Sequence, residues 1–353
     1  MRRVVGSDYP GGDIMTGLNN EQGKQTIMVN GSNQILAIKG GLNAYVQIYL
    51  LRTAGALARY FGFRGMQRCT WLLNPYFRRQ NSAIIALARG GTLTILLGDG
   101  YWTNLVTPNF LYEPEIGFVL TNALELGNVF FFDCGANIGH WSAIAAAIIH
   151  RPGQVVAIEA SPPCFEQLEQ NARLNDQSFQ CMMRAVWSRD SEELVIVTHE
   201  KRHAGSSVVN RRDKRGRPGY FEYTVQSITL DSLFNEYVQD PTAKVIIKLD
   251  VEGAEIPALI GARQLLENRE TLVLYEDHLQ DPESKVSEYV LRKLRYDVYY
   301  CTEKLDIVQM TTLSDVLHLK ASIRIGHNFF ACSPMSTFSR MFEEMRHKSD
   351  SFK

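Results

Sequence analysis

A chain of 353 residues, 45% of them hydrophobic and 21% charged, can bury a sizeable core and is too apolar for general disorder. Its 37 Lys and Arg against 38 Asp and Glu leave a net charge of −1, which disfavours a globally electrostatic nucleic-acid binder but not a local basic patch. The cysteines (Cys69, Cys134, Cys164, Cys181, Cys301 and Cys332) are too scattered for CxxC or zinc-knuckle spacing, so reduced thiols of a cytoplasmic protein are expected.

Residues 1–35 are rich in Gly, Asn, Ser and Gln and read as a loosely packed leader; Arg2 and Arg3 precede no apolar run, so no secretory signal is expected. From Leu42 to Leu73 apolar residues recur at helical spacing (Tyr45, Ile48, Tyr49, Leu51, Leu57, Phe61), with Arg52, Arg59, Arg64 and Arg68 among them. This predicts one or two amphipathic helices with basic faces, serving as an accessory layer or a surface for homo-oligomers, with peripheral membrane contact the lesser alternative. The segment Leu42–Leu57 carries Asn43, Gln47 and Arg52 and falls short of the ~20 apolar residues of a transmembrane helix. The expected organisation is a leader and helical extension over 1–80, a main domain over 81–340 and a tail over 341–353.

After Asn81 the pattern changes. A strand over Thr92–Leu97 turns at Gly98-Asp99-Gly100, and Tyr112-Glu113-Pro114-Glu115 leads into a helix ending near Gly127. Strands are then predicted at Val129–Asp133, Gln154–Glu159, Cys181–Val186, Tyr223–Ile228, Val245–Asp250, Leu272–Glu276, Val298–Cys301 and Asn328–Cys332, with a hairpin over 194–209. Helices are predicted at Trp141–Ile149, Pro162–Leu174, Ile256–Leu266 and Ser284–Leu294. Such alternation means an α/β, mostly parallel sheet covered on both faces; the last two strands, lacking an obvious crossover helix, suit an antiparallel sheet edge. Lys201–Arg217 is strongly basic, with Asp213 its one acid.

The strongest local signal is Phe130-Phe131-Phe132-Asp133-Cys134-Gly135-Ala136-Asn137-Ile138-Gly139, an apolar strand running through a glycine turn into a helix. Glycine suits a backbone that turns sharply and lets a ligand approach closely. Glu159 ends the next strand, where a Rossmann-like unit places an acid that binds ribose hydroxyls. A dinucleotide fingerprint needs glycines at i, i+2 and i+5; here they stand at i and i+4, and the loop opens with the acid Asp133. A cationic nucleoside, S-adenosylmethionine, fits that loop better, and a dehydrogenase is disfavoured.

These segments resemble the FkbM family of S-adenosylmethionine-dependent methyltransferases. Asp133–Gly139 is similar to its first motif, and Glu159-Ala160-Ser161-Pro162 with Asn171 and Asn175 to its second. Ala185-Val186-Trp187-Ser188, Gly205-Ser206-Ser207 and Thr229-Leu230-Asp231 follow in order. Lys248-Leu249-Asp250-Val251-Glu252-Gly253-Ala254-Glu255 is the most specific segment, followed by Gly261-Ala262 and Glu276-Asp277-His278. The similarity runs over about 92–335 and leaves residues 1–80 unexplained. Cys134 and Ala160 depart mildly from the pattern. The resemblance implies a class I methyltransferase Rossmann-like fold, a seven-stranded sheet with its last strand antiparallel, and O-methylation of a sugar or natural-product hydroxyl. It also implies cofactor binding by Asp133, Gly135, Ala136, Asn137, Gly139, Glu159, Ala160, Ala185, Asp250 and Glu113. An N-methyltransferase and a non-catalytic binding module on the same scaffold remain alternatives.

On the acceptor side, Lys248 and Asp250 share one side of their strand, and Asp250 stands at its C-terminal end, where α/β sheets bind ligands. Lys248, Asp250 and Glu276 are candidate catalytic residues, with Glu252 nearby. His278, just past a central strand, is the candidate general base, its neutral form taking the acceptor proton. No metal is expected, although Asp250, Glu276 and Asp277 offer a conceivable Mg²⁺ set. The Lys201–Arg217 segment reads first as a plain solvated loop; lying over the crevice, it would instead favour an acidic or phosphorylated acceptor.

Overall fold

In the computed structural model the described residues are 32–58, 66–107, 109–199, 202–208, 220–278, 281–322 and 328–350. They belong to one compact unit, 31–353, which begins with a strand. β1 (Gln34–Lys39) precedes α1 (Gly41–Ala58) and α2 (Met66–Leu73); β2 (Ser82–Ala86) and β3 (Thr92–Leu96) follow. β2 pairs antiparallel with both β1 and β3, so hydrogen bonds cross the boundary expected at residue 80. The extension is a mixed layer, because Ala83, Ile85, Leu93 and Ile95 share one buried cluster with Ala44, Ile48 and Leu51 of α1.

α3 (Pro114–Leu124) starts on a proline in its first turn and buries Ile116, Val119, Leu120 and Ala123, an i, i+3, i+4, i+7 stripe. The main sheet then begins: β4 (Val129–Cys134), α4 (His140–Ile149), β5 (Val155–Ile158), α5 (Pro162–Leu174) and β6 (Gln180–Met182). A separate small sheet follows, made of β7 (Ala185–Val186), β8 (Glu193–His199), β9 (Arg202–Val208) and β10 (Tyr220–Ile228) in the order β7-β10-β8-β9. The basic residues Arg211, Arg212, Lys214, Arg215 and Arg217 lie outside the described residues.

The chain returns to the main sheet through α6 (Leu230–Tyr237) and β11 (Lys244–Leu249), then α7 (Glu255–Ile260), α8 (Arg263–Asn268) and β12 (Thr271–Glu276). α9 (Lys285–Tyr289) leads to the hairpin of β13 (Asp297–Cys301) and β14 (Ile307–Met310). α10 (Leu313–Ser322), β15 (Asn328–Cys332) and α11 (Thr337–Asp350) complete it.

The sheet has eight strands in the order β14-β13-β15-β12-β11-β4-β5-β6. The seven expected strands are there, with β14 added at the edge. β15 is antiparallel as expected, but it is inserted between β12 and β13 rather than placed at the rim. Its composition explains the position: all of Asn328-Phe329-Phe330-Ala331-Cys332 is buried, whereas β14 exposes its middle. Alternate residues face opposite layers. Phe131, Ile246, Leu272 and Phe330 enter one core, while Phe132, Ile247, Val273 and Phe329 enter the other. The expected tail beyond residue 340 is part of α11, whose Phe338, Met341 and Phe342 are buried; the Phe342 ring stacks on Tyr299 at 4.2 Å between centroids.

Candidate active site

The parallel strands β4, β5, β11 and β12 end on one side of the sheet, and a cavity of about 390 Å³ lies there. At its base the chain leaves β4 through Gly135, whose φ is +78°. A Cβ at this position would sit 1.8 Å from the Asp250 carbonyl oxygen, so only glycine fits between the ends of β4 and β11. The Gly135 and Ala136 amides donate to the Ile158 carbonyl at 2.9 and 3.0 Å, closing the loop onto β5.

Glu159 locks the same loop. Its Oε2 accepts from the Asn137 amide at 2.8 Å and its Oε1 from the Ser161 amide at 2.7 Å. Each oxygen keeps a further lone pair for a ligand hydroxyl. Burial raises the Glu159 carboxyl to about 7, although the amides of Ser161 and Asn137 oppose the shift. Asn137, at φ +52°, also accepts from the Trp102 indole at 3.0 Å.

On β11, the Lys248 ammonium is buried and 3.0 Å from Asp250 Oδ2. Burial works against its charge, but Asp250, Asp133 and Glu113 outweigh that and hold it above the ordinary lysine range. Glu113 enters from the turn before α3, at φ +40°. Its Oε1 accepts from Asn328 Nδ2 at 3.3 Å, while its buried Oε2 has no partner. Burial, opposed by Lys248 and reinforced by Asp250 and Glu115, lifts its carboxyl to about 7. Glu252, in the loop after β11 at φ +51°, is likewise lifted to about 7, by burial first and the Asp250 charge second, with His278 opposing.

Of the residues expected to hold the cofactor, Gly135, Ala136, Asn137, Glu159, Ala160, Ala185, Asp250 and Glu113 line the cavity. Asp133 and Gly139 stand behind it. Asp133 Oδ2 accepts from Ser142 at 2.6 Å, leaving buried Oδ1 without a partner, and Gly139 starts α4 at φ +88°. Among the expected catalytic residues, Lys248, Asp250 and Glu276 line the cavity and His278 does not. Its ring lies between two carboxylates, Nε2 3.6 Å from Glu255 and Nδ1 3.4 Å from Glu276. Glu255 and Glu276 raise the imidazole to about 11, against the effect of burial. Off the cavity lining and flanked by two acids, the ring is held toward its charged form, an arrangement that does not favour the neutral base expected of it.

The Mg²⁺ set is not assembled either. Asp277 points inward, where Oδ1 meets Lys320 Nζ at 2.6 Å and Oδ2 accepts from Ser287. Among the described residues no group of three or more His, Cys, Asp and Glu is placed to hold a metal ion.

Sequence reasoning missed an aromatic wall. Tyr101, Trp102, Tyr112, His140 and Trp141 all line the cavity. Trp102 stacks over His140 at 5.7 Å, Tyr112 meets both rings at 5.1 Å, and the Tyr101 and Tyr112 hydroxyls share a hydrogen bond. Burial, with Arg89 and Lys248 nearby, lowers the His140 imidazole to about 3, so this ring is neutral. The available signal was positional: Tyr101-Trp102 follow the Gly98-Asp99-Gly100 turn, and Tyr112 directly precedes Glu113.

The sheet order and the glycine-loop site define a class I methyltransferase fold. The Methyltransferase FkbM domain matches residues 133–320, over half of the chain, and the chain belongs to that family. Among solved structures, a methyltransferase FkbM from Methylobacillus flagellatus is 14% identical, at a TM-score of 0.36, over 57% of this chain and 43% of that one. This chain therefore spans less than half of that relative. A precorrin-6y C5,15-methyltransferase from Geobacter metallireducens is 13% identical (TM-score 0.34, 64% of this chain, 91% of that one). A putative methyltransferase from Streptococcus mutans in complex with SAH is 10% identical (TM-score 0.33, 63% and 99%). No curated protein matches the chain.

Proposed function

We propose that the chain transfers the methyl group of S-adenosylmethionine to a hydroxyl oxygen of a sugar or natural-product acceptor. What carries this proposal is the meeting of Glu159, the Gly135 cradle and the Lys248–Asp250 pair in one cavity beside an aromatic wall. The residues present suit the donor. The second lone pairs of Glu159 can take its ribose hydroxyls, and Ala160, Ala185 and Ile196 offer an apolar surface for a base. The unpartnered Glu113 oxygen and the faces of Trp102 and Tyr112 suit cationic groups.

When bound, S-adenosylmethionine supplies an electrophilic methyl carbon: the acceptor oxygen forms the new bond to it, the carbon–sulfur bond breaks and its electron pair stays on sulfur. The protein's part is to position the oxygen, keep water out and take the hydroxyl proton. We assign that proton to Glu252, which lines the cavity with a pKa near 7. Glu113, although also near 7, is held by Asn328 and faces Lys248. Asp250 and Glu276 then orient the acceptor. With Asp99, Glu113, Glu159, Asp250, Glu252 and Glu276 on the lining against Lys248 and Arg184, a neutral polyhydroxylated acceptor suits the described cavity better than an anionic one.

Thermal unfolding with S-adenosylmethionine or NAD separates methyl transfer from hydride transfer, since a ligand at 100 times its Kd adds about 2.7 kcal/mol. Stabilisation by NAD alone would reject the assignment. Radiolabelled methyl transfer to hydroxyl and to amine acceptors then separates O- from N-methylation. Glu159→Ala should cost about 1.5–3 kcal/mol of cofactor affinity by calorimetry, the range for hydrogen bonds to a charged group.

Affinity should also depend on pH. Glu113 and Glu159, both raised to about 7, must be ionised to face a cation and accept ribose hydroxyls. Cofactor affinity is therefore expected to weaken as pH falls below about 7 and to level off above it. Near pH 6.5 binding should release protons, visible as a buffer-dependent calorimetric enthalpy.

A further inference from the structure

α1 carries two apolar stripes. One, comprising Ala44, Gln47, Ile48, Leu51, Gly55 and Ala58, is buried. The other runs along Leu42, Tyr45, Val46, Tyr49 and Leu57 at the spacing of a single helix face, and it is open: Leu42 is 80%, Tyr49 70% and Leu57 64% exposed. Leu72 of α2 and Tyr76 just beyond it add to this surface at 73% and 79%. Scattered exposed apolar residues are ordinary; grouped on two packed helices they mark a docking surface.

Charge selects what docks there. Between Glu21 and Asp99 the sequence has no Asp or Glu but nine Lys or Arg, although the whole chain is net −1. Arg52 on α1 and Arg68 on α2 are exposed, as are Lys39 at the end of β1 and Arg78, whose amide donates to Asn43 of α1 at 3.2 Å. We infer that this face rests on an anionic lipid bilayer, with α1 lying in the plane of the headgroups. Its open stripe enters the apolar boundary, Tyr45 and Tyr49 sit at headgroup level, and the surrounding arginines meet lipid phosphates. The helix lies on the membrane and does not span it, because its other stripe is packed into the protein. Among the described residues no helix is long and apolar enough to cross. A second copy on a two-fold axis would press this all-basic surface against itself. A nucleic acid would meet Leu42, Val46, Leu57 and Leu72 where it needs polar side chains. Gln67 of α2 lines the cavity, so the docked face and the active site share an element, and acceptors presented at the bilayer would be within reach.

Flotation of the full chain with phosphatidylcholine vesicles, with and without phosphatidylglycerol, tests this surface. Binding is expected only with phosphatidylglycerol and should weaken as salt is raised. The triple variant Tyr45→Ser, Tyr49→Ser, Leu57→Ser should lose at least roughly tenfold in partition. Arg52→Gln with Arg68→Gln and Arg78→Gln should lose on the order of 100-fold, at about 1 kcal/mol per arginine near an anionic surface. All six side chains are exposed, so the melting temperature should hold in both variants. Equal binding to neutral vesicles, or none to anionic ones, would overturn the proposal. So would a dimer that the Tyr45, Tyr49 and Leu57 changes dissolve without altering flotation, or an RNA complex that the arginine changes abolish while vesicles fail to bind.

Discussion

Glu252→Gln is expected to lower kcat by roughly 10²–10⁴, the usual contribution of a positioned general base, while S-adenosylmethionine affinity stays near wild type. The substitution keeps shape and removes only the charge that takes the acceptor proton. Because the ionised carboxylate is the working form and its pKa is near 7, wild-type activity should fall as pH drops below about 7 and reach a plateau above it. Measured as kcat with S-adenosylmethionine kept saturating at every pH, the variant should lack that acidic limb. His278→Asn makes the contrast. The imidazolium favours an ionised Glu252, so its loss should move the limb to higher pH and leave the plateau. A limb that disappears in His278→Asn but survives in Glu252→Gln would return the base to His278.

The second large effect is on stability. Lys320→Met is expected to cost about 3–5 kcal/mol in urea unfolding, the penalty for removing one partner of a buried ion pair. Lys320 Nζ meets Asp277 Oδ1 at 2.6 Å and also donates to the carbonyls of His278 and Asp281 at 2.9 Å each, with side-chain exposures of 7% for Lys320 and 0% for Asp277. Without it, the buried Asp277 carboxylate loses its counter-ion and the His278 and Asp281 carbonyls each lose one donor. The same links fix the chain that leaves β12 beside Glu276, so surviving Lys320→Met protein should show a raised acceptor KM. A cost below about 1 kcal/mol would show that the ammonium is replaced by solvent, as at an exposed pair.

His278 gives a third, milder check. Its folded pKa is raised from the ordinary value near 6.5 to about 11, so the stability that Glu255 and Glu276 confer through it is fully present below pH 6.5. That stability fades as pH climbs through 11, and His278→Asn should flatten this dependence.

Much of this protein is written locally. Short, uniformly apolar runs bounded by turn residues, such as Phe130-Phe131-Phe132 and Val155–Ile158, read as strands covered on both faces, and they form β4 and β5 of the main sheet. Gly135 and Glu159 were legible because a tight turn and the acid after the next strand depend on chain spacing alone. By contrast, β15 is inserted between β12 and β13, a choice made by which neighbours bury both of its faces. The pairing of β1 with β2 across the expected boundary is likewise a contact remote in sequence. The charge state of His278 was beyond local reach for the same reason. Its neighbour Glu276 was visible two residues away, but Glu255, the buried carboxylate on the other side of the ring, comes from α7. Sequence thus determined the strands, the glycine cradle and the acid that follows the second strand; the tertiary structure decided which acids share a space, because electrostatic coupling follows distance in space and not separation along the chain.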